Sequence, residues 1–295
     1  MISMIFVAAV AAATPIITAH QATAHPMRYY VALPEGWTTG RTWPVVVVIP
    51  DAHRDFADNL KRFVDARGAR PFLLVAPEVV TCGGTSGQTS PPHSYTDAEW
   101  AQARAPKDYD FDDAGLAAVL AEVHAKWGGE TPAYLTGWEA GGHTVWAQAL
   151  RRPERWLAVA PVTPNYQGRG LTPETFSRTP ERAALPIQTF FCGAPRGEIA
   201  ASLPQLRQQV DRALADARAH GFAPEPIRVV EGADHGPLPD AVLAWFESVE
   251  RARKAPAAKK EGGRLLTFAA AILDQWTGMK SSACSAPLRR PASST

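Results

Sequence analysis

Gly137-Trp138-Glu139-Ala140-Gly141-Gly142 is the stretch on which the reading of this chain turns. Ahead of it, Ala133-Tyr134-Leu135-Thr136 is a short β-prone run; behind it, His143 to Leu150 has helical spacing. Strand, glycine-flanked turn and helix in direct succession describe a sharp reversal with a strained residue at its apex. The glycines have a steric job there, because only the smallest side chains fit on either side of the apex. Glu139 is the apex residue. Alone the fragment is weak, since glycine-rich turns between strands and helices are common. An ordinary strand–helix turn with a helix-capping carboxylate accounts for it as well, so the order of elements around it has to decide.

Outward from the turn, apolar runs alternate with amphipathic stretches from residue 28 to about 253. Arg28 to Leu33 reads as an edge strand, and the β-branched run Pro44 to Ile49 as a strand buried on both faces. Asn59 to Ala66 is a short helix, and Phe72 to Ala76 a second buried strand. A polar loop is expected from Thr81 to Asp110; loops of that length are usually functional. Phe111 to Lys126 places apolar residues on one helical face. Beyond the turn come a strand at Trp156 to Pro161, an irregular insertion at Thr163 to Ala184 and a strand at Ile187 to Cys192. A helix at Leu203 to His220, a strand at Ile227 to Val230 and a helix at Leu238 to Arg253 complete the pattern. Buried strands alternating with helices predict one α/β domain built on a mostly parallel, doubly wound sheet.

Composition sets limits on partners. With 295 residues, 46% of them hydrophobic, the chain can bury a sizeable core. A net charge of +1 gives no sign of nucleic-acid binding. Residues 1–24 read as a leader: Ile2 to Ala13 is apolar, and Ala22-Thr23-Ala24 is an A-x-A cleavage signature, although the start lacks Lys or Arg. That reading expects export, periplasmic or extracellular, with a cytoplasmic location as the alternative. The apolar run is too short to span a bilayer, so no integral membrane segment is expected. Cys82, Cys192 and Cys284 have no metal-ligand spacing, and Cys192 is expected to be a buried core thiol. No cofactor or metal is expected. Residues 25–253 form the expected domain; 254–295 begin as a linker and continue as a Ser/Pro/Arg-rich tail expected to be disordered.

With these elements in order, the chain resembles the α/β-hydrolase superfamily. It is most similar to secreted esterases of the polyhydroxybutyrate depolymerase and feruloyl esterase type. The resemblance spans about residues 28 to 250 and rests on Tyr30 to Trp37, Trp43 to Ile49, the turn at Glu139 with Arg152-Pro153-Glu154-Arg155 behind it, and Gly232-Ala233-Asp234-His235-Gly236. It implies that Glu139 stands where the nucleophilic serine of a G-x-S-x-G elbow belongs, and that the backbone N–H of Ala140 is one oxyanion donor. The second donor is placed at Ala52, in Pro50-Asp51-Ala52-His53, where an aspartate is a poor neighbour for a developing oxyanion. His235 takes the general-base position. The acid is expected after the strand ending at Cys192, but Arg196 stands near that place, and Glu198 is the substitute. Trp138 and Tyr166 are the candidates for ligand contact, and the ligand class implied is a small-molecule or polymer-linked ester.

Three readings of Glu139 stay open at this point. In the first, the fold is a degenerate hydrolase or ligand-binding pseudoenzyme, with the carboxylate at the helix N-terminus filling the oxyanion hole. In the second, Glu139 is a carboxylate nucleophile or an acid/base with His235, in an active hydrolase. In the third, Glu139 joins His143 and His235 in a metal site. Ser86, Ser90 and Ser94 are the serines that could replace the missing one, though none sits in an elbow.

Overall fold

Five β-branched residues in a row cannot keep one face in water, and Val45–Ile49 is buried along its whole length. The computed structural model describes residues 16–82, 95–104, 108–166 and 171–255. Its eight strands are β1 (Ile17–Gln21), β2 (Arg28–Ala32), β3 (Val45–Ile49), β4 (Leu73–Pro77), β5 (Ala133–Trp138), β6 (Trp156–Val162), β7 (Phe190–Cys192) and β8 (Arg228–Val230). They lie side by side as β1-β2-β4-β3-β5-β6-β7-β8 in a single sheet. From β4 to β8 every neighbouring pair is parallel, while β2 is antiparallel to both β1 and β4. β3, β4 and β5 are buried at every residue, as strands covered on both faces must be. The expected mostly parallel α/β sheet is present.

The helices are α1 (Phe56–Arg67), α2 (Asp97–Arg104), α3 (Asp108–Trp127), α4 (Ala140–Arg151), α5 (Glu181–Ala184), α6 (Gly197–Ala219) and α7 (Pro239–Lys254). Four places differ from the sequence reading. The expected loop at Thr81 to Asp110 contains α2. Its start was legible: Thr96 and Glu99 form a capping box, with the Thr96 N–H donating to Glu99 Oε2 at 2.7 Å and the Glu99 N–H to Thr96 Oγ1 at 3.3 Å. The insertion at Thr163 to Ala184 carries a 3-10 turn, Pro173–Thr175, as well as α5. β7 begins only at Phe190, with Ile187 joined to Val159 by an isolated bridge. Cys192 is buried as expected, whereas Ser86, Ser90, Ser94 and Cys284 lie outside the described residues.

The fourth difference is at the N-terminus. β2 is not the edge of the sheet, because β1 pairs along it from Ile17 opposite Ala32 to Gln21 opposite Arg28. Residues 17–24 had been read into a leader from their low charge, which hides the strand. Beyond β1, Ala22 enters the core, and Thr23 donates its N–H (2.8 Å) and hydroxyl (2.9 Å) to Glu122 Oε2. Tyr29 and Lys126 each reach Glu122 Oε1 at 2.6 Å. Burial pushes the Glu122 carboxyl up, but Lys126, Tyr29 and Thr23 together hold it at about 2. The Glu122 carboxylate therefore clamps the end of β1 to α3 and β2.

Deleting residues 1–24 removes β1 and two hydrogen bonds to a charged group, for which about 3 kcal/mol is a low figure. In a domain of this size that lowers the melting temperature by about 6–12 °C. Thermal unfolding followed by circular dichroism checks it, and an unchanged midpoint would show that β1 only decorates the edge.

Candidate active site

β5 ends at Trp138 and α4 begins at Ala140, leaving Glu139 alone between them. Its backbone lies at φ 50° and ψ −118°, a region that an L-residue enters at a cost of about 1–3 kcal/mol. Three backbone hydrogen bonds hold it there. The Glu139 N–H donates to Val162 O at 3.1 Å, and its carbonyl accepts from Gly142 (3.0 Å) and Asn165 (2.8 Å). The surrounding glycines are sterically required. A Cβ on Gly137 would lie 2.9 Å from both Ile49 Cβ and Val145 Cγ2. One on Gly141 would collide with the Pro50 carbonyl, and one on Gly142 with the Pro164 ring. The turn after β3 and the turn after β6 are thus packed directly against the first turn of α4.

Strain gathers around this point. Besides Glu139, the non-glycine residues with positive φ among those described are Arg54, Thr163 and Leu238. They lie in the loops that follow β3, β6 and β8. All four therefore sit beyond the C-terminal ends of parallel strands, the edge at which open α/β sheets bind ligands.

The side chains follow from these backbones. Glu139 is half-buried, and the backbone N–H of Ala52 favours its charged form. Burial raises its pKa and the Asp51 charge raises it further, against His53 and the Ala52 bond. Asp51 is 8% exposed and accepts the His53 N–H at 3.2 Å. Burial raises its pKa as well. His235, in the loop between β8 and α7, presents its ring to Trp138 edge-on at 5.2 Å between centroids. Both ring nitrogens are buried without a protein partner. Burial lowers the His235 pKa, and the charges of Asp51 and Asp234 work in the other direction. No hydrogen bond joins Glu139 to His235; Asp51 is the charge that acts on both.

Not every expected residue arrives. Trp138 borders the site, its indole N–H donating to Asn59 Oδ1 at 3.2 Å. Ala140 opens α4 directly after Glu139, and Ala52 lies in the turn after β3 and influences the Glu139 charge. Tyr166 is instead buried against α6, with its hydroxyl on Asp216 (3.1 Å) and its N–H on Gln209 (2.7 Å). Glu198 falls in the first turn of α6, and its side chain lies outside the described part of the structure. Arg196 points outward, 86% exposed, within 3.9 Å of Asp234. His143 is buried and bonded to Tyr109 through Nδ1 at 2.7 Å, and among the described residues no three metal-ligating side chains cluster. Sequence reasoning passed over two residues. Asp51 was treated only as a poor neighbour, and Asp234 was not singled out. Asp234 Oδ1 accepts the N–H groups of Arg196 (3.0 Å) and His235 (2.8 Å), stapling the loops after β7 and β8 together.

The fold is similar to that of several solved structures. The chain is similar to the siderophore hydrolase EstB from Aspergillus nidulans, at 15% identity over 85% of this chain and 100% of that one, with a TM-score of 0.54. It is similar to LpqC, a poly(3-hydroxybutyrate) depolymerase from Bordetella parapertussis, at 21% identity over 83% and 92% of the two chains, with a TM-score of 0.51. A ferulic acid esterase matches at 14% identity over 80% and 97%, with a TM-score of 0.50. The chain has the α/β-hydrolase fold. It also matches a longer protein, of which it spans 35%. No protein-family model matches the sequence, and no curated protein matches it. Within the α/β-hydrolase fold, then, a glutamate occupies the strained apex of the turn between β5 and α4.

The raised pKa of Glu139 gives a stability test. A carboxyl whose folded pKa exceeds its unfolded value near 4.5 binds its proton more tightly in the folded state. Stability is therefore greatest below the unfolded pKa and falls as pH rises through the interval up to the folded one. Glu139→Gln removes that dependence. Its stability relative to wild type should rise between about pH 4 and neutrality, as read by urea unfolding across that range. A difference independent of pH would show that Glu139 ionises as freely folded as unfolded.

Proposed function

We propose that this protein is an esterase-type hydrolase whose serine chemistry is switched off at Glu139, leaving a cleft that binds ester or acyl ligands. The observation that carries the reading is a half-buried carboxylate at a strand–helix apex held in strained backbone, with Ala140 opening the helix behind it and the turn after β3 packed against that helix. A serine esterase needs a hydroxyl that gives its proton to histidine, and free donors for the oxyanion. Glu139 has no such hydroxyl, and a carboxylate at the apex competes with an oxyanion for any donor beside it. The named substrates of the similar solved enzymes, a siderophore, poly(3-hydroxybutyrate) and ferulic acid esters, support an ester-bearing ligand. Export is part of this reading and rests on the apolar N-terminus. It fits only a cleavage point ahead of Ile17, because β1 belongs to the sheet. No helix among the described residues is long and apolar enough to cross a membrane.

The same carboxylate also favours a second reading, an active hydrolase. If Glu139 attacked an electrophilic carbon and displaced its leaving group, the product would be an ester of the enzyme itself. Water deprotonated by His235 would then attack Cδ of Glu139, and the oxyanion would form on a glutamate oxygen. That oxygen is the atom an Ala52 N–H would stabilise. The unpartnered ring nitrogens of His235 are those of a base awaiting a water.

Wild type and Glu139→Ser should be compared on short p-nitrophenyl esters. The first reading expects almost no turnover in wild type and weak, His235-dependent turnover in the serine variant. Wild-type turnover abolished by Glu139→Gln would overturn it. A mass increase on Glu139 after incubation with an epoxide or haloalkane would establish the second reading.

A further inference from the structure

An imidazole in a buried site is ordinarily held by a hydrogen bond on one of its two nitrogens, which fixes its tautomer and its orientation together. His235 has no such anchor, because Nδ1 and Nε2 are both buried and unpartnered. Its main chain is fixed, since Asp234 Oδ1 accepts the His235 N–H at 2.8 Å, but that bond leaves the side-chain torsions free. What remains to orient the ring is packing. Among the described residues, the aromatic ring against it is that of Trp138, with centroids 5.2 Å apart and planes inclined at 61°. That spacing and tilt are those of an edge-to-face pair, which has a preferred geometry as well as buried area.

Trp138 is itself held from outside the cleft. It ends β5, directly before Glu139, and is 8% exposed. Its indole N–H donates to Asn59 Oδ1 of α1 at 3.2 Å, and the Arg62 guanidinium, one turn further along α1, lies 5.9 Å from its ring. Satisfying an indole N–H does not by itself account for Asn59. Trp146 and Trp156 keep theirs buried with no partner, so the fold tolerates the omission. Asn59 also carries a penalty. An indole N–H only donates, so the amide oxygen faces it and the NH2 group points elsewhere. That NH2 is buried and unpartnered, in a residue 4% exposed, and an apolar side chain of the same size would avoid the loss. What the bond adds is rigidity: an indole anchored at its nitrogen cannot turn about its side-chain torsions, and it stands as a fixed wall beside His235.

We propose that Asn59 is a positioning residue of the site, locking the Trp138 indole so that the indole in turn holds the His235 ring in one orientation. The helix that follows β3 thereby sets the placement of a histidine that follows β8, through two direct contacts. The catalytic meaning of this relay rests on the proposed function, in which His235 moves protons; the orientation of the ring does not.

The carbon-bound ring protons of His235 feel the ring current of Trp138, so their NMR signals test the relay without turnover. In Asn59→Leu, which keeps the volume and removes the acceptor, the Trp138 indole N–H signal should move, and the His235 lines should shift and broaden as the ring samples further rotamers. Trp138→Phe has no indole N–H, and adding Asn59→Leu to it should move the His235 lines no further. Asn59→Asp, which restores an acceptor oxygen, should return the lines toward wild type. Asn59→Ala serves if the leucine variant does not fold. Unchanged His235 lines in a folded Asn59 variant of lowered melting temperature would mark a structural role alone and overturn the proposal. Equal shifts with and without the indole would overturn it as well. In the Glu139→Ser background, Asn59→Leu should lower kcat about 100-fold at nearly constant KM, the effect of misplacing a reacting group by about 1 Å. If Glu139→Ser shows no turnover, the esterase-type reading fails while the resonances still decide the role of Asn59.

Discussion

The left-handed backbone at Glu139 is the constraint from which the rest of the site follows. Such a conformation persists only when its surroundings over-determine it. Here Val162 of β6, Asn165 in the loop after it and Gly142 of α4 do so. The same reversal brings the first turn of α4 against Pro50 and Pro164, an approach that the absence of a Cβ at Gly141 and Gly142 permits. The turn after β3 is then fixed relative to Glu139, and Asp51 and Ala52 of that turn influence its charge. A larger residue at either glycine would separate these loops together. The positions of the two turns and of the apex residue are therefore one geometric fact.

The electrostatics of the cleft favour uncharged groups. Burial raises Glu139 and Asp51 and lowers His235, so all three are displaced toward their neutral forms. This is the opposite of the Glu122 clamp, where Lys126 and three further hydrogen bonds overcome burial and keep a carboxylate ionised. One carboxylate is structural and charged, held by donors on every side. The other two sit where donors are few and a proton is easily retained.

The legible part of the molecule was the part governed by pattern. The β-branched run of β3 and the glycines around Glu139 report their environment directly, through continuous burial in one case and steric exclusion in the other. β1 was hidden because a five-residue polar–apolar strand at a sheet edge resembles the end of an apolar leader. α2 carried a readable capping box that was outweighed by the glycines and prolines before it. In the site, the turn at Glu139, with Trp138 before it, and the loop carrying His235 follow from chain order. Tyr166 does not, since its partners Gln209 and Asp216 come from a helix distant in sequence. The burial of Asp51 depends on how the turn after β3 packs against α4, and no local pattern encodes that.

The Arg196–Asp234 pair has a consequence for how such a site can change over generations. An aspartate introduced at residue 196 would stand near the expected acid position, yet it would face Asp234 where a guanidinium now lies 3.9 Å away. Like charges at that range disfavour each other, and the two loops stapled by Asp234 would be pushed apart along with His235. Residues 196 and 234 are thus tied to each other: a change of charge at one alters the loop that the other holds, and a viable change at 196 calls for a matching change at 234.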